Sequence, residues 1–351
     1  MRLGWRAGLA VVAITARLDA QTVRVTVVTD GERIPIAGAI VSLRSAAGVT
    51  VRRGLTNEGG RLVLRAPSGG SYLLRADRIG FRGVDSVPVV VPDTGAVAIE
   101  LPMPNVPVIL AELKVRGSTS CAGDPATSTA TADLWSEIRK ALDATSLAKR
   151  SGLTFVMALW RRELNDELDT KKETVDTVET DVTRPFFASS AEELAAQGYI
   201  VPNGKGTTFL GPDEEVLLSP SFLATHCFSL NRRTVKGNLQ VGLRFEPTRD
   251  RKLPDIAGTL WVDADRRELR EVEFLYRNVP RSVPKDGLAG KVEFAVLPEG
   301  WWIVNRWNIR MPKVQEVRVM SGSVSPVDLT RRSFLNGYTE DGGGIVSVKR
   351  P

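Results

Sequence analysis

A chain of 351 residues with 42% hydrophobic and 25% charged residues has globular composition and enough length for two domains, each able to bury a core. Its formal net charge is +6, but the 47 basic residues are scattered among the 41 acidic ones, so no nucleic-acid interface is expected.

At the N-terminus, Arg2 and Arg6 precede an apolar stretch from Ala7 to Ala16, and the segment closes on Leu18-Asp19-Ala20. This is the layout of a secretory signal peptide over residues 1–20, and its apolar part is about half the roughly 20 residues needed to span a bilayer. Export to the periplasm, outer membrane or cell surface is the expectation. Cleavage would leave 44 basic and 40 acidic residues, and no cysteine follows the cleavage site to carry a lipid anchor. The two cysteines, Cys121 and Cys227, suit an oxidising compartment and are expected to pair. The loop so closed, about 100 residues, corresponds to roughly 4–5 kcal/mol in the chain-entropy model.

From Gln21 to Leu101 short apolar or alternating runs are separated by Gly, Pro, Asn and Asp. The runs are Val23 to Val28, Ala39 to Leu43, Val49 to Arg53, Arg61 to Arg65, Tyr72 to Asp77, Val87 to Val91 and Val97 to Leu101, which predicts a seven-stranded β-sandwich over 21–101. Gly38 lets the chain swing into a strand, and Asn57 with Gly59 and Gly60 supplies a turn tolerant of positive φ. Pro35 to Leu43, Thr56 to Leu62, Tyr72 to Ala76 and Gly80-Phe81, in that order, resemble the carboxypeptidase regulatory-like domain. That resemblance implies a prealbumin-like sandwich with a supporting role and no catalytic groups. Leu110 to Val115 is similar to the segment preceding the plug of TonB-dependent outer-membrane receptors. The remaining length cannot supply plug and barrel, so an accessory role beside such a receptor is the expectation that follows.

Residues 102–132, rich in Pro, Ser, Thr, Gly and Ala, read as a linker, and 133–351 as an α+β antiparallel-sheet domain backed by a few helices. A helix is predicted over Asp133 to Lys149, capped by Asp133, with Leu134, Trp135, Ile138 and Leu142 on one face. Apolar Leu153 to Trp160 and the acid-rich stretch Glu163 to Asp181 suggest a β region ending in a solvated hairpin; the acids lack the spacing of a calcium loop. Ser190-Ala191-Glu192-Glu193 opens a short helix as a capping box that Gly198 ends, and a second short helix is expected over Phe222 to Phe228. Strands follow at Leu239 to Phe245, Gly258 to Asp263, Leu269 to Tyr276, Lys291 to Leu297 and Trp301 to Met311.

Alternation in the last of these sets Trp301, Ile303, Trp307, Ile309 and Met311 against Trp302, Arg306, Asn308 and Arg310. The apolar side is either a core beneath the helices or the floor of an apolar-ligand site, for which Phe274, Trp301, Trp307 and Ile309 are the candidate contacts. Gly258 to Asp263 with Leu269 to Phe274 is similar to hairpins of periplasmic lipoprotein-carrier-like proteins, which implies a lipid or other apolar ligand.

Catalytic residues are not apparent. His226 is the sole histidine, so a zinc-peptidase site with two histidines cannot be assembled within this chain, and Cys227 is its immediate neighbour, which points the two side chains apart. No metal or other cofactor is expected. Gly204-Lys205-Gly206 lacks the context of a phosphate-binding loop. The sequence therefore suggests a non-catalytic exported protein that binds an apolar ligand. The alternatives are a protein-interaction accessory to a TonB-dependent outer-membrane system and an unrecognised hydrolase using a carboxylate pair.

Overall fold

The structure, a computed structural model, describes residues 21–104, 129–149, 152–181, 189–203, 206–281, 283–284, 286–298, 300–320 and 329–349. The expected signal segment 1–20, Cys121 and the Leu110 to Val115 segment lie outside the described residues. The chain is mainly β, with several sheets and four helices among the described residues.

The first unit contains β1 (Thr22–Thr29), β2 (Ile40–Ser45), β3 (Thr50–Leu55), β4 (Arg61–Arg65), β5 (Gly70–Asp77), β6 (Val84–Asp85), β7 (Val89–Val91) and β8 (Ala96–Met103). One sheet runs β4-β1-β8, with β1 and β8 parallel; the other runs β3-β2-β5-β6, with β7 also on β5. Val23, Val25, Val27, Val41, Leu43, Leu74 and Ala76 alternate inward from β1, β2 and β5 and fill the space between the sheets. The run expected over Val87 to Val91 forms a shorter strand: β7 begins at Val89, after Pro88, which has no N–H to donate, and pairs with Gly70 to Tyr72, while the two-residue β6 ahead of it pairs with Arg75 and Ala76. The Asn57 turn forms as read, its side-chain oxygen accepting from Gly59 N and Arg61 N.

Helix α1 (Thr129–Ala148) begins four residues before the expected Asp133 cap. Leu134, Ile138, Ala141, Leu142, Thr145 and Ala148 form one buried stripe along it. Then come β9 (Thr154–Leu164), β10 (Thr170–Thr180), α2 (Ala191–Gln197), the hairpin β11 (Ile200–Asn203) and β12 (Gly206–Phe209), α3 (Glu214–Leu218) and α4 (Pro220–Thr225). The capping box at Ser190 and Glu193 is present, and Gly198 ends α2 with φ 85°. The second short helix ends before His226, not after it: Ser219 caps α4, Pro220 sets its first turn, and His226 and Cys227 are already paired to Pro247 and Glu246.

The remaining strands are β13 (His226–Val235), β14 (Asn238–Pro247), β15 (Asp255–Asp263), β16 (Glu268–Arg277), β17 (Ala289–Val296), β18 (Trp302–Met320) and β19 (Leu329–Lys349). With β9 and β10 they make a nine-stranded antiparallel sheet, ordered β10-β9-β19-β18-β17-β16-β15-β14-β13. Strand β19 inserts between β9 and β18 and so joins the β9-β10 hairpin to the other strands of the sheet.

α1 and the short helices lie on one face of this sheet, over Leu243, Phe245, Leu260, Val272, Phe274, Val292, Trp302 and Ile309. The sandwich joins the same core through Ile40, Leu55 and Ile79. Polar contacts fix the junction: the Glu137 carboxylate on α1 accepts the Gly80 N–H at 2.6 Å, Lys140 donates to Phe81 O and Arg267 to Gly80 O. Gly38 and Gly300 meet backbone to backbone, with φ of 69° and 85°; a Cβ on Gly38 would stand 2.4 Å from Gly300 O. The sandwich is seated on the sheet rather than hung from it.

Candidate functional site

Alternation along β14 to β17, interrupted by a bulge at Arg270, gives the sheet two unlike faces. Val241, Leu243 and Phe245, then Val272, Phe274 and Tyr276, then Val292 and Phe294, point to the helices and are buried. Arg244 and Glu246, Glu271, Glu273, Leu275 and Arg277, and Lys291 and Glu293, occupy the other side. Register aligns Arg244, Thr259, Glu273, Lys291 and Asn308 in one cross-strand row, and Ala257, Leu275, Ala289 and Arg310 in the next.

Two open grooves lie along this polar face, of about 490 Å³ and 510 Å³, sharing Glu273 and Lys291. Their walls are cross-linked. Arg233 lies 4.0 Å above the Trp261 ring centre and donates to Glu273 at 2.8 Å and to Gln240 at 2.7 Å, and it pairs with Glu271; Trp261 Nε1 donates to Glu273 at 3.1 Å. Lys291 is held between Glu271 at 2.7 Å and Glu293 at 3.2 Å. Burial pushes the Glu271 carboxyl up, but Lys291 and Arg233 more than offset it and hold the group below the usual carboxylate range. For Lys291 the same balance runs the other way: burial lowers the ammonium, and the two carboxylates raise it further. Such a lattice fixes the orientation of its polar groups through several partners each.

The four residues read from sequence as apolar-ligand contacts are not assembled into an open site. Phe274 and Ile309 are 2% and 4% exposed and belong to the core, while Trp301 and Trp307 are half-buried and packed against it. Tyr276, next to Phe274 on the same face, is covered by Phe209 edge-on and donates to Leu210 O. The expected two-sided alternation of β18 also breaks. The pairing of β17 with β18 shifts between Glu293 and Phe294, so Asn305 is an extra residue, and Trp302 and Val304 face the helices together with Ile309. Trp302, read as part of the polar side, is 1% exposed. Ile303 falls instead into a small cluster with Leu153, Phe155 and Met157.

His226 is buried. Its Nδ1 lies 2.9 Å from Phe222 O and 3.1 Å from Thr225 Oγ1, and its Nε2 lies 3.2 Å from Ile256 O and 3.3 Å from Asp255 Oδ1. Asp255 also pairs with Arg251, which donates to Ala195 O and Leu194 O. The Thr225 hydroxyl donates to Ser221 O at 2.9 Å, and the adjoining cavity measures about 10 Å³, room for no more than a water. This cluster pins α2 and α4 to the ends of β13 and β15 and offers a substrate no access. Cys227 follows it on β13; its expected partner Cys121 lies outside the described residues.

The polar-face residues were within reach of the sequence through the period-two pattern of β16 and β17. Their convergence was not, because it depends on which strands are neighbours.

No protein-family model matches the chain, and no curated protein matches it. Among solved structures it is similar to a DUF1329 family protein from Desulfovibrio piger ATCC 29098, with 11% identity over 60% of this chain and 92% of that one and a TM-score of 0.27. It is also similar to a protein of Bacteroides uniformis ATCC 8492 named provisionally as carbohydrate binding, with 7% identity over 74% and 99% of the two chains and a TM-score of 0.22. At those scores the likenesses carry no argument.

Proposed function

We propose that this chain is a non-catalytic protein of the cell envelope that acts by binding, and that its ligand seats on the sheet face opposite the helices. One observation carries the reading: the apolar face is filled by the chain's own helices and sandwich, whereas the opposite face carries two open grooves of drug-sized volume. The signal-peptide reading of residues 1–20 places the protein in the periplasm or at the surface. The sandwich, resembling the carboxypeptidase regulatory-like family, serves as a brace that holds α1 against the sheet. The sheet's likeness to lipoprotein-carrier-like hairpins is consistent with a carrier or sensor of an envelope molecule.

Native mass spectrometry of the protein purified from its own envelope tests this. A small molecule retained at one copy per chain, displaced by substitutions at Glu273 or Lys291, is the expected result. An empty protein that hydrolyses ester, amide or glycoside substrates would overturn it. A second reading, an accessory to an outer-membrane transport system, is favoured by the open edge of β10, an eleven-residue strand exposed along nearly its whole length. Its charged side chains, among them Lys171, Lys172 and Glu173, discourage indiscriminate pairing. Recovery of a stoichiometric membrane protein with the chain, and no small molecule, would favour that reading.

A further inference from the structure

The 490 Å³ groove contains two guanidinium groups that the carboxylates of the sheet do not neutralise. Lys291 is engaged by Glu271 and Glu293, Arg233 by Glu271 and Glu273, and Arg244 by Glu246. Arg310 is half-buried on β18, its Nε donating to Gly287 O at 2.5 Å, and its cross-strand neighbour Glu340 is occupied by Asn308 at 2.8 Å and Arg162 at 3.2 Å. Arg277, at the end of β16, is exposed. Among the described residues neither Arg277 nor Arg310 is in an ion pair. Both line the groove, and between them its floor is apolar: Leu275, 48% exposed, and Ala289, which lies in register between Leu275 and Arg310.

We propose that this groove binds an anionic amphiphile, its carboxylate or phosphate received by Arg277 and Arg310 and its apolar part lying on Leu275. This rests on the reading of the polar face as the binding face. Planar guanidinium groups donate bidentately to either oxyanion, and one already tethered through Nε loses little freedom on binding. The Gly287 tether and the strand position of Arg310 preorganise the head site. An exposed leucine amid charged neighbours provides the apolar contact that a bare inorganic anion would not use.

The test is calorimetric titration of the mature chain, below the micellar range of each probe, with laurate, dodecyl phosphate, dodecanol and inorganic phosphate. The expected result is binding of laurate and dodecyl phosphate at least tenfold tighter than dodecanol and tenfold tighter than inorganic phosphate, weakening as salt is raised. Arg277→Gln and Arg310→Gln should each weaken both anionic probes about tenfold, and Leu275→Ser should weaken the chain-bearing probes only. Arg232→Gln, an exposed change on β13, should leave affinities unchanged, and circular dichroism confirms that each variant is folded. Equal affinity for dodecanol would overturn anion recognition, and equal affinity for inorganic phosphate would overturn the amphiphile. Absence of binding by all four, while a molecule still copurifies with the protein, would sink this inference and leave the binding function standing.

Discussion

Glu137 on α1 joins the sandwich to the sheet. Its side chain is 4% exposed; one oxygen accepts the Gly80 N–H at 2.6 Å and the other the Lys140 ammonium at 2.5 Å. Glu137→Ala removes a charge-assisted hydrogen bond, about 1.5–3 kcal/mol, and leaves the Gly80 N–H without an acceptor in a buried place, about 1–3 kcal/mol more. These two costs overlap, so a loss of about 3–4 kcal/mol is expected. Glu137→Gln keeps an acceptor for Gly80 and should lose about half as much. Urea unfolding followed by two probes separates the effects, because the sandwich strands contain no tryptophan: Trp135, Trp160, Trp261, Trp302 and Trp307 lie on α1 or the large sheet, and Trp301 immediately precedes β18. Tryptophan fluorescence therefore follows α1 and the sheet but not the sandwich, while far-ultraviolet dichroism follows both units. In the native chain the two transitions should coincide; in Glu137→Ala they should part, the sandwich loosening first. A midpoint unchanged in both probes, or a loss below about 1 kcal/mol, would refute the account of the junction.

Asp255→Ala should cost about 3–5 kcal/mol in the same urea experiment, since it strands Arg251 and His226 in the core. A loss near that of a surface change would show that the cluster is not a pin. Lys149→Met should destabilise at neutral pH by leaving the buried Glu214 carboxylate without its partner, and Lys149→Met with Glu214→Met should recover most of the loss. Burial already raises the Glu214 carboxyl above its ordinary value, so its charged form becomes costly as pH rises through the folded-state value; Lys149→Met should be milder at pH 4 than at pH 8. Glu271 runs the opposite way: held low by Lys291 and Arg233, it stabilises above its ordinary value of 4.5 and loses that contribution as pH falls through the lower folded-state value. Glu271→Gln should therefore flatten the acid limb of a stability profile. Gly290→Ala places a methyl 2.1 Å from the Phe274 ring and should cost about 1–3 kcal/mol, read from thermal unfolding.

Local chemistry was legible in the sequence where a short range decides it. The Asn57 turn, the Ser190 capping box, the apolar stripe of α1 and the alternation of β14 to β17 all depend on residues within a few positions of one another. The boundary errors have local causes as well: Pro88 delayed the start of a strand to Val89, and Pro220 moved a helix forward so that His226 became the first residue of β13. Trp302 was misplaced because one inserted residue, Asn305, puts the facing positions before it out of phase with those after it, and a bulge leaves no mark in a pattern read two residues at a time.

By itself the sequence determined a mainly β chain with a sandwich ahead of a helix-backed antiparallel sheet, because turn residues and period-two runs are written locally. Only the tertiary structure decided which face of that sheet is free. The insertion of β19 beside β9, the seating of the sandwich on α1 and the gathering of Arg244, Glu273, Lys291 and Arg310 into one groove join residues up to about 200 positions apart. Such pairings are fixed by the competition among all apolar surfaces for burial, and no local pattern carries that information.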